Sequence, residues 1–177
     1  MYVLRPLSLY LDIYPNSDAR ALVRLQSDHI SRTLIPKFYR YLQAQETSAQ
    51  IEGSKEFLES INDLVSLFER AENENEGSAV GLWKEGGKLG WADVMVGPCT
   101  CAIFLNSVAR IKPSIDDVIG LLRTTNVLKH YRGFEFPQDS KVKAWLDRVL
   151  EHPAFKATCS TDELYLDSYG RSVALCI

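Results

Sequence analysis

Cys99 and Cys101 are the pair with the most obvious chemical potential, because two thiolates one residue apart can fill two corners of a tetrahedral metal site. A closed site needs a second pair at zinc-like spacing. The remaining cysteines, Cys159 and Cys176, lie far downstream with no such spacing, so no metal is expected. Cys159 has only Lys156 nearby to lower a thiol pKa, and a reactive thiol needs more than that. His29, His130 and His152 are scattered, and His152 precedes Pro153 at a helix end, where an imidazole caps carbonyls. No Ser-His-Asp spacing, phosphate loop or carboxylate pair stands out. The group with the clearest positional logic is Asp93. It follows Gly90 by three residues in Leu89-Gly90-Trp91-Ala92-Asp93-Val94, where a carboxylate accepts from the N–H groups left free at a helix start. Leu89 and Val94 flank this turn at the spacing of a hydrophobic staple.

The elements that must position these groups read as helices. Asn16-Ser17-Asp18 supplies capping residues for a helix from Asp18 to about Ala44, and Ile30, Leu34, Phe38 and Tyr41 repeat along it at helical spacing. Pro36 should kink it, having no N–H and crowding the preceding turn. Phe57, Leu58, Ile61, Leu64, Val65 and Phe68 form the apolar stripe of a second helix, with Ser54 as its expected cap. Glu72 to Ser78 reads as an exposed acidic loop closed by Gly86-Gly87, and a central helix starts near Trp91. Val142, Trp145, Leu146 and Val149 make a further stripe ended by Pro153, and Thr161-Asp162-Glu163 opens a short last helix through Tyr169. Strand signals are weak and no internal repeat is visible. The expected fold is all-α.

Four segments, in order, resemble the helical C-terminal domain of cytosolic glutathione transferases, closest to the omega-like fungal and bacterial kind. They are Leu34 to Gln45, Lys88 to Pro98, Leu128 to Phe134, and Glu151 to Tyr169, the last including His152-Pro153-Ala154-Phe155-Lys156-Ala157-Thr158. The resemblance implies a glutathione-transferase C-terminal-type helical bundle over residues 16–177. Residues 1–15, with Leu9 to Pro15 like the end of a helix, would then be a remnant of the thioredoxin-like domain that precedes it in the family. Most of the family caps the central helix with Ser or Thr. Gly90 supplies no side-chain acceptor, so a loss of roughly a few tenths of a kcal/mol is expected.

Two departures matter. Cys99 to Gly120 intervenes where the family runs almost directly from its Gly-Pro into a stretch like Leu121 to Asn126. Those roughly twenty residues are either a genuine helical insertion, begun by the capping-box-like Ser114-Ile115-Asp116-Asp117, or non-native coding sequence such as a retained intron. Ala102-Ile103-Phe104-Leu105 within it is an apolar liability if exposed. The second departure is that the Glu-Ser or Gln-Ser pair that holds the γ-glutamyl end of glutathione in the family has no counterpart in Met1 to Ser8. The resemblance implies transferase ancestry, with glutathione as co-substrate of the complete enzyme. Turnover by this chain does not follow from it.

In the family the helical domain walls the hydrophobic-substrate pocket. By that resemblance the substrate-binding residues are Ile35, Phe38, Tyr39, Thr125 and Leu128, with core packing the plainer role for Phe38 and Leu128. Tyr39 and Arg40 read as surface or pocket-rim groups. Arg32 is placed to reach a glutathione carboxylate or simply to be solvated. Loss of the thioredoxin-like half would bare an apolar docking face. That predicts homodimerisation through the first two helices, or another protein covering the face. The alternative function is a non-catalytic helical interaction module.

Composition narrows the classes further. A chain of 177 residues with 46% hydrophobic and 24% charged residues can bury one core. The net charge of −3 gives no basic field, which argues against a nucleic-acid partner. No stretch reaches the ~20 apolar residues of a membrane span. Pro6 and Asp12 interrupt the N-terminal apolar run, so no secretory signal is expected. Four cysteines in a chain of this size suggest reduced thiols and a cytoplasmic location rather than a disulfide framework.

Overall fold

The computed structural model describes residues 14, 16–74, 80–96, 121–136, 140–157 and 161–174, without the side chains of 121–125, 171, 172 and 174. Among these residues every regular element is helical and there is no strand. Their order is α1 (Ser17–His29), a π-helical turn (Ile30–Leu34), α2 (Ile35–Gln43), α3 (Thr47–Glu74), a 3₁₀ turn (Gly81–Trp83), α4 (Trp91–Val96), α5 (Leu121–Arg132), α6 (Lys141–Glu151), α7 (Pro153–Lys156) and α8 (Asp162–Ala174).

Asn16 caps α1 as expected, its Oδ1 accepting from the Asp18 N–H at 2.9 Å. Pro36 does not end the helix. Its missing N–H deprives one carbonyl of a donor, and the chain widens into the π-helical turn in which the Ile35 N–H reaches back to the Ile30 carbonyl. Ile30 and Leu34 are fully buried on either side of this widening. Apolar anchoring therefore carries the helical path past the proline.

The long helix α3 begins at Thr47, so Ser54 is interior and not its cap. The extra turns have a packing partner. A Cβ added at Gly53 would lie 3.0 Å from the Tyr41 Cα, so α2 and α3 approach closely there. The helix also runs on to Glu74, taking the first residues of the expected acidic loop into its last turn. Residues 75–79 lie outside the described set. The last helix likewise continues beyond Tyr169 to Ala174.

The core is one aromatic-rich cluster. Phe57 links Phe38, Tyr41 and Phe134, with centroids 5.5–6.4 Å away. Phe68 stacks on Trp83 at 4.9 Å and meets Trp145 edge-on at the same distance. Arg132 closes the end of α2, its Nε donating to the Tyr41 carbonyl at 3.3 Å and its Nη2 to the Leu42 carbonyl. No described helix is long and apolar enough to cross a membrane.

Candidate functional site

Asp93 is fully buried, the only such carboxylate among the described residues. Its position three residues into the turn lets the side chain fold back, and Oδ2 accepts from the Gly90 N–H at 2.7 Å. The same oxygen accepts from the Leu82 N–H at 2.8 Å, while Oδ1 accepts from the Trp145 indole N–H at 2.7 Å. One side chain thus joins the 3₁₀ turn, the start of α4 and the buried face of α6. Arg148, one turn after Trp145, holds the same 3₁₀ turn by its carbonyls. Its Nε donates to Leu82 O and its Nη2 to Trp83 O, both at 2.7 Å. Lys141 sits 5.1 Å over the Trp83 ring and pairs with Glu72 at 2.6 Å, holding that carboxyl below the usual glutamate range.

The expected weakness at Gly90 is offset by a residue from far away in sequence. The Tyr14 hydroxyl accepts from the Trp91 N–H at 2.8 Å, supplying a side-chain acceptor at this helix start. Arg20 Nη1 donates to the Tyr14 carbonyl at 2.9 Å and fixes the residue from α1. Tyr14→Phe is expected to cost about 1–2 kcal/mol, because it leaves a part-buried N–H without its acceptor while keeping the ring. Urea unfolding followed by circular dichroism measures it, and a variant as stable as wild type would remove Tyr14 from this role. Leu89 and Val94, the expected staple pair, are both half-buried.

Burial pushes the Asp93 carboxyl above the ordinary aspartate range. The Leu82, Trp145 and Gly90 donors and the field of His152 pull the other way. Three protein N–H groups hold the carboxylate, two on one oxygen and one on the other, and solvent does not reach the group. Such a carboxylate cannot approach a substrate proton, so its chemistry is positional.

The residues singled out as a hydrophobic-substrate wall divide. Phe38 and Leu128 are each 1% exposed and belong to the core. Ile35 and Tyr39 are half-buried on α2, where Tyr39 packs edge-on against Phe38 at 5.2 Å and lies 6.4 Å from the Tyr169 ring on α8. The Thr125 side chain lies outside the described residues. Leu128 faces elsewhere, lining an apolar cavity of about 20 Å³ with Leu34, Phe57, Phe68 and Trp83, too small for anything beyond a single water-sized body.

Arg32 is exposed and paired with Asp28 at 2.8 Å, one helical turn away. Arg40 is also exposed and pairs with Glu56 at 2.6 Å. His29 bonds the Ser60 carbonyl through Nε2 at 2.7 Å, joining α1 to α3, and exposed His130 packs on Tyr131. His152 does not cap carbonyls. Its Nδ1 accepts from the Ala154 N–H at 3.3 Å and so caps the start of α7, because Pro153 forces a new helix at that point. Cys99, Cys101, Cys159 and Cys176 all lie outside the described residues, as do Met1 to Ile13 and the whole of 97–120. Among the described residues no group of three His, Cys, Asp or Glu side chains converges on a point that could hold a metal.

Sequence reasoning located Asp93 and the Trp145 stripe but missed Tyr14, Arg148 and the Leu82 N–H. Helical periodicity marks which residues are buried, and carries no information about which polar groups meet across 77 residues. Comparison with family models, curated proteins and solved structures finds no match for this chain.

Proposed function

We propose that this chain is the helical half of a glutathione-transferase-like protein. On this reading it shapes where an apolar compound sits, and the sulfur chemistry of the complete enzyme belongs to a thioredoxin-like half. The observation that carries the reading is the turn at Gly90–Asp93. There the segment most characteristic of the resemblance anchors, through one buried carboxylate, to Trp145 on the helix that leads into the His152-Pro153 segment. Ile35 and Tyr39 are then the residues of α2 placed to touch an apolar ligand, since Phe38 and Leu128 are committed to the core. No described group would activate a glutathione thiol, so retention on immobilised glutathione and conjugation by the purified chain are both expected to be absent. An environment-sensitive apolar dye is expected to bind, and to bind several-fold more weakly after Ile35→Ala and Tyr39→Ala. Unchanged dye binding in both variants would remove the ligand-wall reading, and turnover with glutathione would show that the chain activates sulfur by itself.

A second reading, a non-catalytic interaction module of the cytoplasm, is favoured by the closed interior. The aromatic core leaves a cavity of only about 20 Å³, whereas sites for drug-sized ligands span roughly 300 Å³ or more. On this reading the bundle works through its surface, as a homodimer or beneath a protein that covers the face otherwise docked on a thioredoxin-like domain.

A further inference from the structure

His152 closes one helix and opens the next. It is the C-cap residue of α6 and the N-cap residue of α7. Its backbone serves both, the N–H donating to the Val149 carbonyl at 3.2 Å and the carbonyl accepting from Phe155 and Lys156 at 3.0 and 3.1 Å. Its side chain serves one. Nδ1 accepts from the Ala154 N–H at 3.3 Å, and the half-buried ring meets the buried Phe155 ring at 5.9 Å. N-caps are ordinarily Ser, Thr, Asp or Asn, whose oxygens go on accepting throughout the neutral range. An imidazole nitrogen accepts only while it carries no proton, so this cap requires the neutral ring with its hydrogen on Nε2. Histidine is also the side chain whose charge ordinarily changes between pH 8 and pH 5. A titratable cap thus stands where a permanent one is usual.

A proton on this ring meets opposing fields. The negative end of α6, 11 residues long, attracts an imidazolium, and the positive end of α7 repels it. Glu151 beside it on α6 favours the charge, as does an ionised Asp93 on α4, whose carboxyl feels the field of His152. Arg148, one turn before it on α6, and Lys156, one turn after it on α7, oppose the charge. Those fields offset one another, whereas the change at Nδ1 is one-sided: protonated, it sets a donor against the Ala154 donor. We infer that His152 is a proton-operated switch between two helix ends. Neutral, it caps the start of α7. Charged, it leaves the Ala154 N–H and turns to the last carbonyls of α6, the acceptors that a helix end leaves over. Acid then frees α7, and Phe155 with it, while α6 stays closed. The inference rests on this junction and stands independently of the transferase reading.

The test is nuclear magnetic resonance on the full chain, titrated from pH 8 to pH 5. At the alkaline end the His152 ring is expected to show Nδ1 bare and Nε2 protonated. On acidification the helical Cα shifts of Ala154 to Lys156 should move toward coil values in step with ring protonation, while those of Leu146 to Leu150 hold. Exchange of the Ala154 amide with water, corrected for its intrinsic pH dependence, should rise about fivefold, the size of a typical N-cap contribution. His152→Asn keeps an acceptor that does not titrate, so α7 should stay helical across the whole range. His152→Lys has donors only and stays charged, so α7 should be released already at the alkaline end. A neutral ring protonated on Nδ1 overturns the inference. So does an α7 that stays helical while the wild-type ring takes up its proton, or one that is intact in His152→Lys. So does an α7 that melts equally in His152→Asn, because another group would then be titrating.

Discussion

Asp93→Asn is expected to destabilise the protein by about 2–3 kcal/mol, in the range for leaving a buried hydrogen-bond donor without its acceptor. The substitution is nearly isosteric, so the loss is electrostatic. The carboxylate accepts from Leu82, Gly90 and Trp145, two donors on one oxygen and one on the other. An Asn oxygen can keep the two backbone donors, but its NH₂ then points at the Trp145 indole N–H, donor against donor. Trp145→Phe removes that conflict. In the Asp93→Asn background it should therefore cost less than in wild type, and a double-mutant cycle by urea unfolding measures the difference. Fully additive effects would mean that the Trp145 bond to Asp93 contributes nothing.

The same carboxyl gives a pH dependence with a defined sign. Burial raises its pKa in the folded state above the unfolded value of about 3.9. Between those two values the folded protein holds a proton that the unfolded chain has released. Stability from this group is then fully present below the unfolded pKa and is lost as pH rises through the folded pKa. A protonated Asp93 still accepts from all three donors, its hydroxyl oxygen included, whereas Asn does not. The stability gap between wild type and Asp93→Asn should be widest near pH 3.5 and narrow toward neutrality, with other carboxylates cancelling in the comparison. A gap that widens as pH rises would mean that the three donors outweigh burial.

Gly81→Ala is expected to cost at least about 3 kcal/mol, combining backbone strain with a clash in a packed interior. Gly81 has φ +58°, the left-handed region, and a Cβ there would lie 2.1 Å from the Asp93 Oδ2. The carboxylate cannot retreat without releasing the Leu82 and Gly90 donors. Gly90→Ser is the instructive companion. By helix-capping preference alone it should stabilise the start of α4. In the fold, an added Cβ would lie 2.9 Å from the Gly81 Cα and 3.0 Å from the Tyr14 hydroxyl, so Gly90→Ser should destabilise, by about 1–3 kcal/mol. Thermal unfolding of both variants checks the sign, and a stabilised Gly90→Ser would mean that the turn has room the structure does not show.

Much of the secondary structure is legible in the amino-acid order. Phe57, Ile61, Leu64 and Phe68 lie on the buried face of α3 and Trp145, Leu146 and Val149 on that of α6, while Leu58 of the expected stripe is exposed; Asn16 caps α1 where its type and position indicated. Errors cluster where local preference competes with packing. At Pro36, where a kink is expected, the backbone answers with a π-helical turn whose ends, Ile30 and Leu34, are buried. Ser54 looked like a cap, yet the helix starts seven residues earlier because Gly53 lets α3 lie against Tyr41.

Periodicity and capping rules act over a few residues, so the amino-acid order by itself specified an all-helical chain, the positions of its apolar stripes and the inward fold of the Asp93 carboxylate. What the carboxylate meets, which tyrosine completes the helix start, and whether Phe38 and Leu128 face a ligand or each other's core depend on segments far apart in the chain. Those pairings are set only when the helices pack, because burial removes water as the competing partner and forces each polar group onto the donor or acceptor that remains.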